Sequence, residues 1–225
     1  MKILCPNCGE IGKGDTTIYN TALRKQNIDI SPIFPTCNKC GEQVSTDNIC
    51  GGGEIIVING TCGSGKSTIA GELMKRHGYF AIDGDCANQS LKAKISSDDP
   101  DLRKKVEFNS DETLKEISEE IDWLSIYGDK FVLAAVILPK DIARYEEIFR
   151  KRNLKYSFFL LRPSYEVAVQ RCKTRTAHET ITPESYVKYY YDKLNFDSGI
   201  SVIDNSAQSA HETMQMILKR VGEMQ

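Results

Sequence analysis

Four groups of residues have the types and spacing to do chemistry. Gly60, four further residues, then Gly65, Lys66 and Ser67 form the pattern G-x-x-x-x-G-K-S within "INGTCGSGKST", residues 58–68. A loop running from Gly60 through Thr61, Cys62, Gly63, Ser64 and Gly65 to Lys66, Ser67 and Thr68 lets several backbone N–H groups converge on a phosphate, with the positive end of a helix behind them. Lys66 would bridge the β and γ phosphates of a nucleoside triphosphate such as ATP, and Ser67 would offer its hydroxyl to Mg²⁺. Cys62 reads as a small residue that fits the turn. The second group is Asp83 and Asp85 in "AIDGD", two carboxylates able to hold Mg²⁺ or its waters, or to accept the proton of an attacking hydroxyl.

Arg171 and Arg175 form the third group. They are four apart, so on a helix they share a face and reach a transferring phosphoryl group together, although a solvated basic face has the same spacing. The fourth group is Cys5, Cys8, Cys37 and Cys40, two C-x-x-C pairs separated by 28 residues, each followed by glycine. Four thiolates suit a closed tetrahedral Zn²⁺ site with no open position for catalysis. The separation exceeds the roughly 15–20 residues of the common template, which a longer intervening hairpin accommodates. Two redox dithiols or an iron–sulfur centre are the alternatives. Zinc is the preferred reading because the pair repeats and no helical pattern follows its first copy.

These groups need elements to position them. Short apolar runs, "IIVIN", "YFAID", "FVLAAVIL", "YSFFLL" and "ISVID", read as strands buried on both faces, as in a parallel sheet covered by helices. Helical periodicity fills the gaps. Leu114, Ile117, Ile121 and Leu124 share one face, and Ile142, Tyr145 and Phe149 another, in a helix opened by Pro139. Ala210, Met214, Ile217, Leu218 and Val221 form a third stripe. The alternation of strand and helix specifies an α/β architecture. Asp83 and Asp85 then sit at the carboxyl edge of the sheet, where ligands bind in such folds. The glycine run after Cys50 marks a boundary, giving a small module over residues 1–50 and a larger domain over 54–225.

With 225 residues, 40% hydrophobic and 27% charged residues and a net charge of −2, the composition is that of a soluble globular protein and announces no polyanion-binding surface. The longest apolar run, Phe131 to Leu138, is far shorter than the roughly 18 residues a membrane span needs. No apolar leader follows Met1. A cytoplasmic location with reduced or metal-bound thiols is therefore expected, and no membrane partner.

"NGTCGSGKST" followed by "FAIDGDCAN" resembles the small ATP-dependent kinases of the P-loop superfamily, among them adenylylsulfate, gluconate and shikimate kinases and the kinase domain of polynucleotide kinases. The resemblance covers about residues 54–222. It implies a three-layer P-loop NTPase fold with a five-stranded parallel sheet of order 23145, with ATP and Mg²⁺ as cofactors and Asp85 as general base. The strand "FVLAAVILP" ends without an acidic residue, so a Walker B aspartate is missing from its usual place. In the similar kinases the comparable strand runs into a proline-started helix bearing arginine, which here makes Arg144 the expected substrate or phosphate contact. Arg171 and Arg175 correspond to the lid arginines of these families, and Asn205 and Ser206 to the turn lining the adenine pocket, although capping of the last helix alone would explain Ser206.

The expected activity is transfer of the γ-phosphoryl group to a hydroxyl of a small metabolite, whose identity residues 86–128 would select. Two other readings stay open. One is a polynucleotide or nucleoside kinase whose zinc ribbon contacts nucleic acid. The other is an ATP-dependent switch or scaffold without acceptor chemistry.

Overall fold

Successive residues of "EIIVIN" go to opposite sides of a sheet. Ile55 and Val57 pack into one apolar layer and Ile56 and Ile58 into another, all at most 1% exposed. The computed structural model describes residues 2–4, 11–13, 39–41, 52–84, 110–125, 127–174, 182–196 and 199–224. Its strands are β1 (Lys2–Leu4), β2 (Ile11–Lys13), β3 (Gly53–Asn59), β4 (Phe80–Asp83), β5 (Lys130–Ala135), β6 (Leu154–Leu161) and β7 (Ser201–Ile203). Its helices are α1 (Lys66–His77), α2 (Asp111–Leu124), α3 (Ile142–Lys151), α4 (Tyr165–Lys173), α5 (Glu184–Lys193) and α6 (Ala210–Met224), with a 3₁₀ turn over Pro139–Asp141.

β3 to β7 form one sheet in the spatial order β4-β5-β3-β6-β7, and every pairing in it is parallel. Counted from β3, this is the expected order 23145. Two helical layers cover it, as a parallel sheet requires. Leu114, Ile117, Ile121 and Leu124 of α2, with Tyr145 and Phe149 of α3, bury against Ile55, Val57, Ile82, Leu133 and Phe158. On the other face Ile69, Ala70 and Leu73 of α1, with Met214, Ile217 and Val221 of α6, meet Ile56, Ile58, Val132 and Phe159. β1 and β2 pair antiparallel, with Leu4 opposite Ile11.

Local sequence sets the ends of these elements. Ser110 caps α2 by accepting from Thr113 N at 3.2 Å, and Asp111 and Glu112 place negative charge in its first turn. Arg152, just past α3, grips α2 through a two-pronged bond to Asp122, 2.6 Å on each oxygen, and a third bond to Ser118 at 2.5 Å. At the amino edge of the sheet the Tyr79 hydroxyl donates to Glu54 at 2.5 Å, and burial together with that bond raises its pKa well above the usual phenol value. Among the described residues no helix is long and apolar enough to cross a membrane.

Candidate functional site

The last side chain of β3 decides where the chain leaves the sheet. Asn59 is fully buried. Its Oδ1 accepts from Gly60 N at 2.7 Å and from Ile137 N at 3.0 Å, and its Nδ2 donates to Ile137 O at 2.7 Å. β5 stops pairing at Ala135, the register partner of Asn59. Two residues further on, the Asn59 carboxamide stands in for the peptide group that β3 no longer supplies.

The glycine-rich loop starts at that point. Ser64 N donates to Thr61 O at 3.2 Å, closing a turn. Gly63 and Gly65 lie in the left-handed region, with φ of 77° and 99°, where other residues are strained. Packing adds a second constraint at Gly63, since a Cβ there would lie 2.1 Å from Ala168 O and 2.9 Å from Cys172 Sγ of α4. α1 begins at Lys66 with no side-chain cap and no acidic residue in its first turn. Its leading N–H groups lack intrahelical partners and carry the positive end of the helix dipole.

Lys66 is buried, and its ammonium donates to Gly60 O at 2.9 Å and Thr61 O at 3.1 Å. An ammonium has a third proton to give. Ser67 and Thr68 are exposed on the first turn of α1. Backbone amides, a helix N-terminus, an ammonium and a hydroxyl form a donor set that fits phosphate oxygens with their Mg²⁺.

Three further elements hold the loop. Asn205, after β7, donates from Nδ2 to Ser64 O at 2.9 Å, and its own carbonyl accepts from Arg171 Nη2 at 2.9 Å. Thr61 Oγ1 donates to Val187 O of α5 at 3.1 Å, and Cys62 packs beside Ala168, Val169, Cys172 and Val187. Next to Asn205, the Asp204 carboxyl accepts from the Ser206 hydroxyl at 2.5 Å and from Ser206 N at 2.9 Å, which lowers its pKa below the ordinary carboxylate value. Among the described residues, Ser64 Oγ and Asn205 Oδ1 are buried without a hydrogen-bond partner.

Asp83 ends β4 at the carboxyl edge, half-buried and in register with Ala134. A Cβ on the following Gly84 would lie 2.8 Å from the Ala135 side chain. Asp85 and Arg175 lie outside the described residues. α4 ends at Lys173 with Thr174 as its C-cap, so Arg171 occupies its last turn.

Arg144 is paired with Asp111, and with Asp141 at 3.2 Å, so it ties the start of α2 to the turn after β5. β5 carries no acid, as expected. The next carboxylate is Asp141, buried in the 3₁₀ turn against Arg144. The expectation that Ser206 caps the last helix needs correction. The Asn205 side chain lies under the loop, and Ser206 Oγ accepts from Ser164 N at 2.8 Å. The helix cap is Ser209, which accepts from Glu212 N at 3.2 Å while Glu212 accepts from Ser209 N at 2.8 Å.

Cys5, Cys8 and Cys37 lie outside the described residues. Cys40 is exposed in a turn, and Gly41 after it has φ of 73°. Among the described residues no group of three or more His, Cys, Asp or Glu side chains is placed to hold a metal.

A protein-family profile described as an AAA domain matches residues 56–190. Among solved structures, the chain is similar to a gluconokinase from Sinorhizobium meliloti 1021 at 21% identity, over 76% of this chain and 93% of that one, with a TM-score of 0.53. A tunicamycin resistance protein of Deinococcus radiodurans matches at 20% identity over 76% and 96% of the two chains, TM-score 0.55. A putative kinase from Chloroflexus aurantiacus J-10-fl matches at 12% identity over 77% and 98%, TM-score 0.58. These likenesses show a shared fold. Comparison with curated proteins gives no match.

Proposed function

The chain belongs to the AAA-domain family that matches its P-loop domain, and we propose that it is an ATP-dependent kinase transferring the γ-phosphoryl group to a hydroxyl of a small metabolite. The observation that carries this reading is the phosphate cradle: Lys66 folded over Gly60 O and Thr61 O, the uncapped start of α1 beside it, and Arg171 of α4 anchored next to the loop through Asn205. A P-loop alone suits a switch or a motor as well. A cationic helix end packed against the loop suits a phosphoryl transfer that needs charge stabilised from the far side.

In the proposed reaction the acceptor oxygen forms a bond to the γ-phosphorus while the bond to the β,γ-bridging oxygen breaks, and ADP leaves. The acceptor's proton passes to Asp85. Lys66 and the loop amides bind the phosphates, and Arg171 with Arg175 meets the charge on the transferring group. Ser67 and Asp83 would hold Mg²⁺, which when bound supplies charge neutralisation at the β and γ oxygens.

Residues 1–50 are proposed to be a zinc ribbon separate from the kinase domain at 54–225, with Cys5, Cys8, Cys37 and Cys40 as ligands. Support comes from the repeated C-x-x-C-G pattern, the pairing of the strands on either side of Cys5 and Cys8, and the left-handed Gly41 after Cys40. One equivalent of zinc per purified chain is expected, and iron with visible absorbance would refute it.

ADP release measured over a panel of small alcohols, nucleosides and 5′-hydroxyl oligonucleotides tests the kinase reading. At least one acceptor should support turnover that Lys66→Ala abolishes. Tight MgATP binding with no turnover across the panel would overturn it in favour of an ATP-dependent switch.

A further inference from the structure

α5 has an aromatic face whose position over the sheet edge can be worked out residue by residue. At about 100° per residue, four positions on one side of this helix fan out in the order Tyr191, Val187, Tyr190, Tyr186. Val187 is fully buried and points at the phosphate loop, against Cys62. Tyr191 lies to one side, where its hydroxyl donates to Pro163 O at 3.1 Å and its ring meets Tyr165 edge-on at 5.6 Å. That side belongs to the turn from β6 into α4.

Tyr190 and Tyr186 lie to the other side. Tyr190 packs over Val136 and Leu160, the residues at the carboxyl ends of β5 and β6, beside Leu138. Tyr186 follows one turn away, with the two rings 4.7 Å apart and tilted by 64°. Both are only half-buried. β5 separates the loop strand from β4, which carries Asp83, so this aromatic pair overlooks the part of the edge where an acceptor hydroxyl would meet the γ-phosphate.

From this placement we infer that the acceptor of the proposed kinase reaction is a nucleoside-like alcohol whose planar base stacks on Tyr186, with Tyr190 edge-on to that ring and holding it in place; the inference rests on the kinase reading for the chemistry but not for the binding. A phenol ring offers a flat apolar surface with a polar tip, which suits a base bearing both ring faces and edge groups. Stacking is sequence-tolerant because every base has a π face. Tyr189, 52% exposed, meets the Tyr190 ring edge-on at 5.1 Å.

The test compares adenosine, guanosine, cytidine and uridine with base-free alcohols, D-ribose, glycerol and gluconate, by ADP release and in parallel by calorimetric binding. A nucleoside should exceed the best base-free alcohol at least about tenfold in kcat/KM. Tyr186→Leu and Tyr190→Leu should raise its KM by about 5- to 150-fold, with kcat and the KM for MgATP nearly unchanged. Tyr190→Phe should keep wild-type values, and thermal unfolding identifies any variant that has lost its fold. A base-free alcohol that outperforms every nucleoside would overturn the inference while the kinase reading stands. So would well-folded Tyr→Leu variants with unaltered nucleoside KM. Nucleoside binding lost in Tyr186→Leu or Tyr190→Leu, with no ADP release from any alcohol, would overturn the kinase reading and leave base recognition in place.

Discussion

Replacing Asn59 with alanine should separate a local fold defect from a catalytic one, because the side chain makes three buried hydrogen bonds and touches no reacting group. Asn59→Ala leaves Gly60 N, Ile137 N and Ile137 O without the partners they have at 2.7 to 3.0 Å. A buried polar group stripped of its partner costs about 1–3 kcal/mol. The three are neighbours and relax together, so the sum is not additive. A loss of about 3–5 kcal/mol is expected, a large fraction of the roughly 5–15 kcal/mol by which a domain is stable. Urea unfolding measures it, and MgATP titration below the transition reads the loop, whose first amide is no longer fixed. Affinity should fall together with stability. A stability change under about 1 kcal/mol with unchanged MgATP affinity would refute the reasoning, since it would mean that Ile137 and the loop are held by other groups.

Three further substitutions discriminate between glycines and between roles. Gly63→Ala places a Cβ 2.1 Å from a backbone carbonyl at a left-handed φ, and should cost about 2–4 kcal/mol from conformational strain and overpacking. Gly71→Ala, in the middle of α1 with nothing within 4 Å of the new carbon, should stabilise by about 0.5–1 kcal/mol; equal melting temperatures for the pair would contradict the close approach of α4. Arg171→Ala should lower kcat about 10²–10³-fold with MgATP affinity mostly kept. Weakened MgATP binding with kcat intact would instead make Arg171 a support for the Asn205 turn.

Sequence periodicity was informative where the forces are local or repetitive. From Ile55 to Ile58 the strand "EIIVIN" is apolar at every position because both faces are covered, and the G-x-x-x-x-G-K-S pattern located the start of α1 at Lys66. Sequence failed where partners are distant. Asn59 meets Ile137 across 78 residues and Asn205 meets Ser64 across 141, and nothing in either neighbourhood marks the asparagine as bound. "FVLAAVIL" reads as one strand to Leu138, yet pairing stops at Ala135 because β3 turns away there. Val136 and Ile137, past the end of that pairing, stay buried. The cap at Ser209 was missed in favour of Ser206, although Ser209 and Glu212 have capping-box spacing. The pairing of Arg144 with Asp111 and Asp141 joins a helix start to a turn 30 residues away, which no local pattern encodes.

The two asparagines act on the phosphate cradle through the rigidity of the peptide unit. A planar trans peptide points its C=O and its N–H in opposite directions, so fixing a carbonyl aims the next amide. Ser64 O is held by Asn205 Nδ2 at 2.9 Å, and Gly65 O by Ile69 N at 3.0 Å. The amides of Gly65 and Lys66 must therefore point away from Asn205 and away from the body of α1. Those are the donors that a helix N-terminus offers an anion. A change at Asn205 can weaken phosphate binding without touching a phosphate, because releasing Ser64 O lets that peptide rotate and present an oxygen where the cradle needs a hydrogen. Arg171 adds to the same control, since its bond to Asn205 O links the end of α4 to the residue that sets the Gly65 amide. The cation proposed to meet the transferring group and the Gly65 amide proposed to hold a phosphate are thereby positioned by one buried side chain and its own carbonyl.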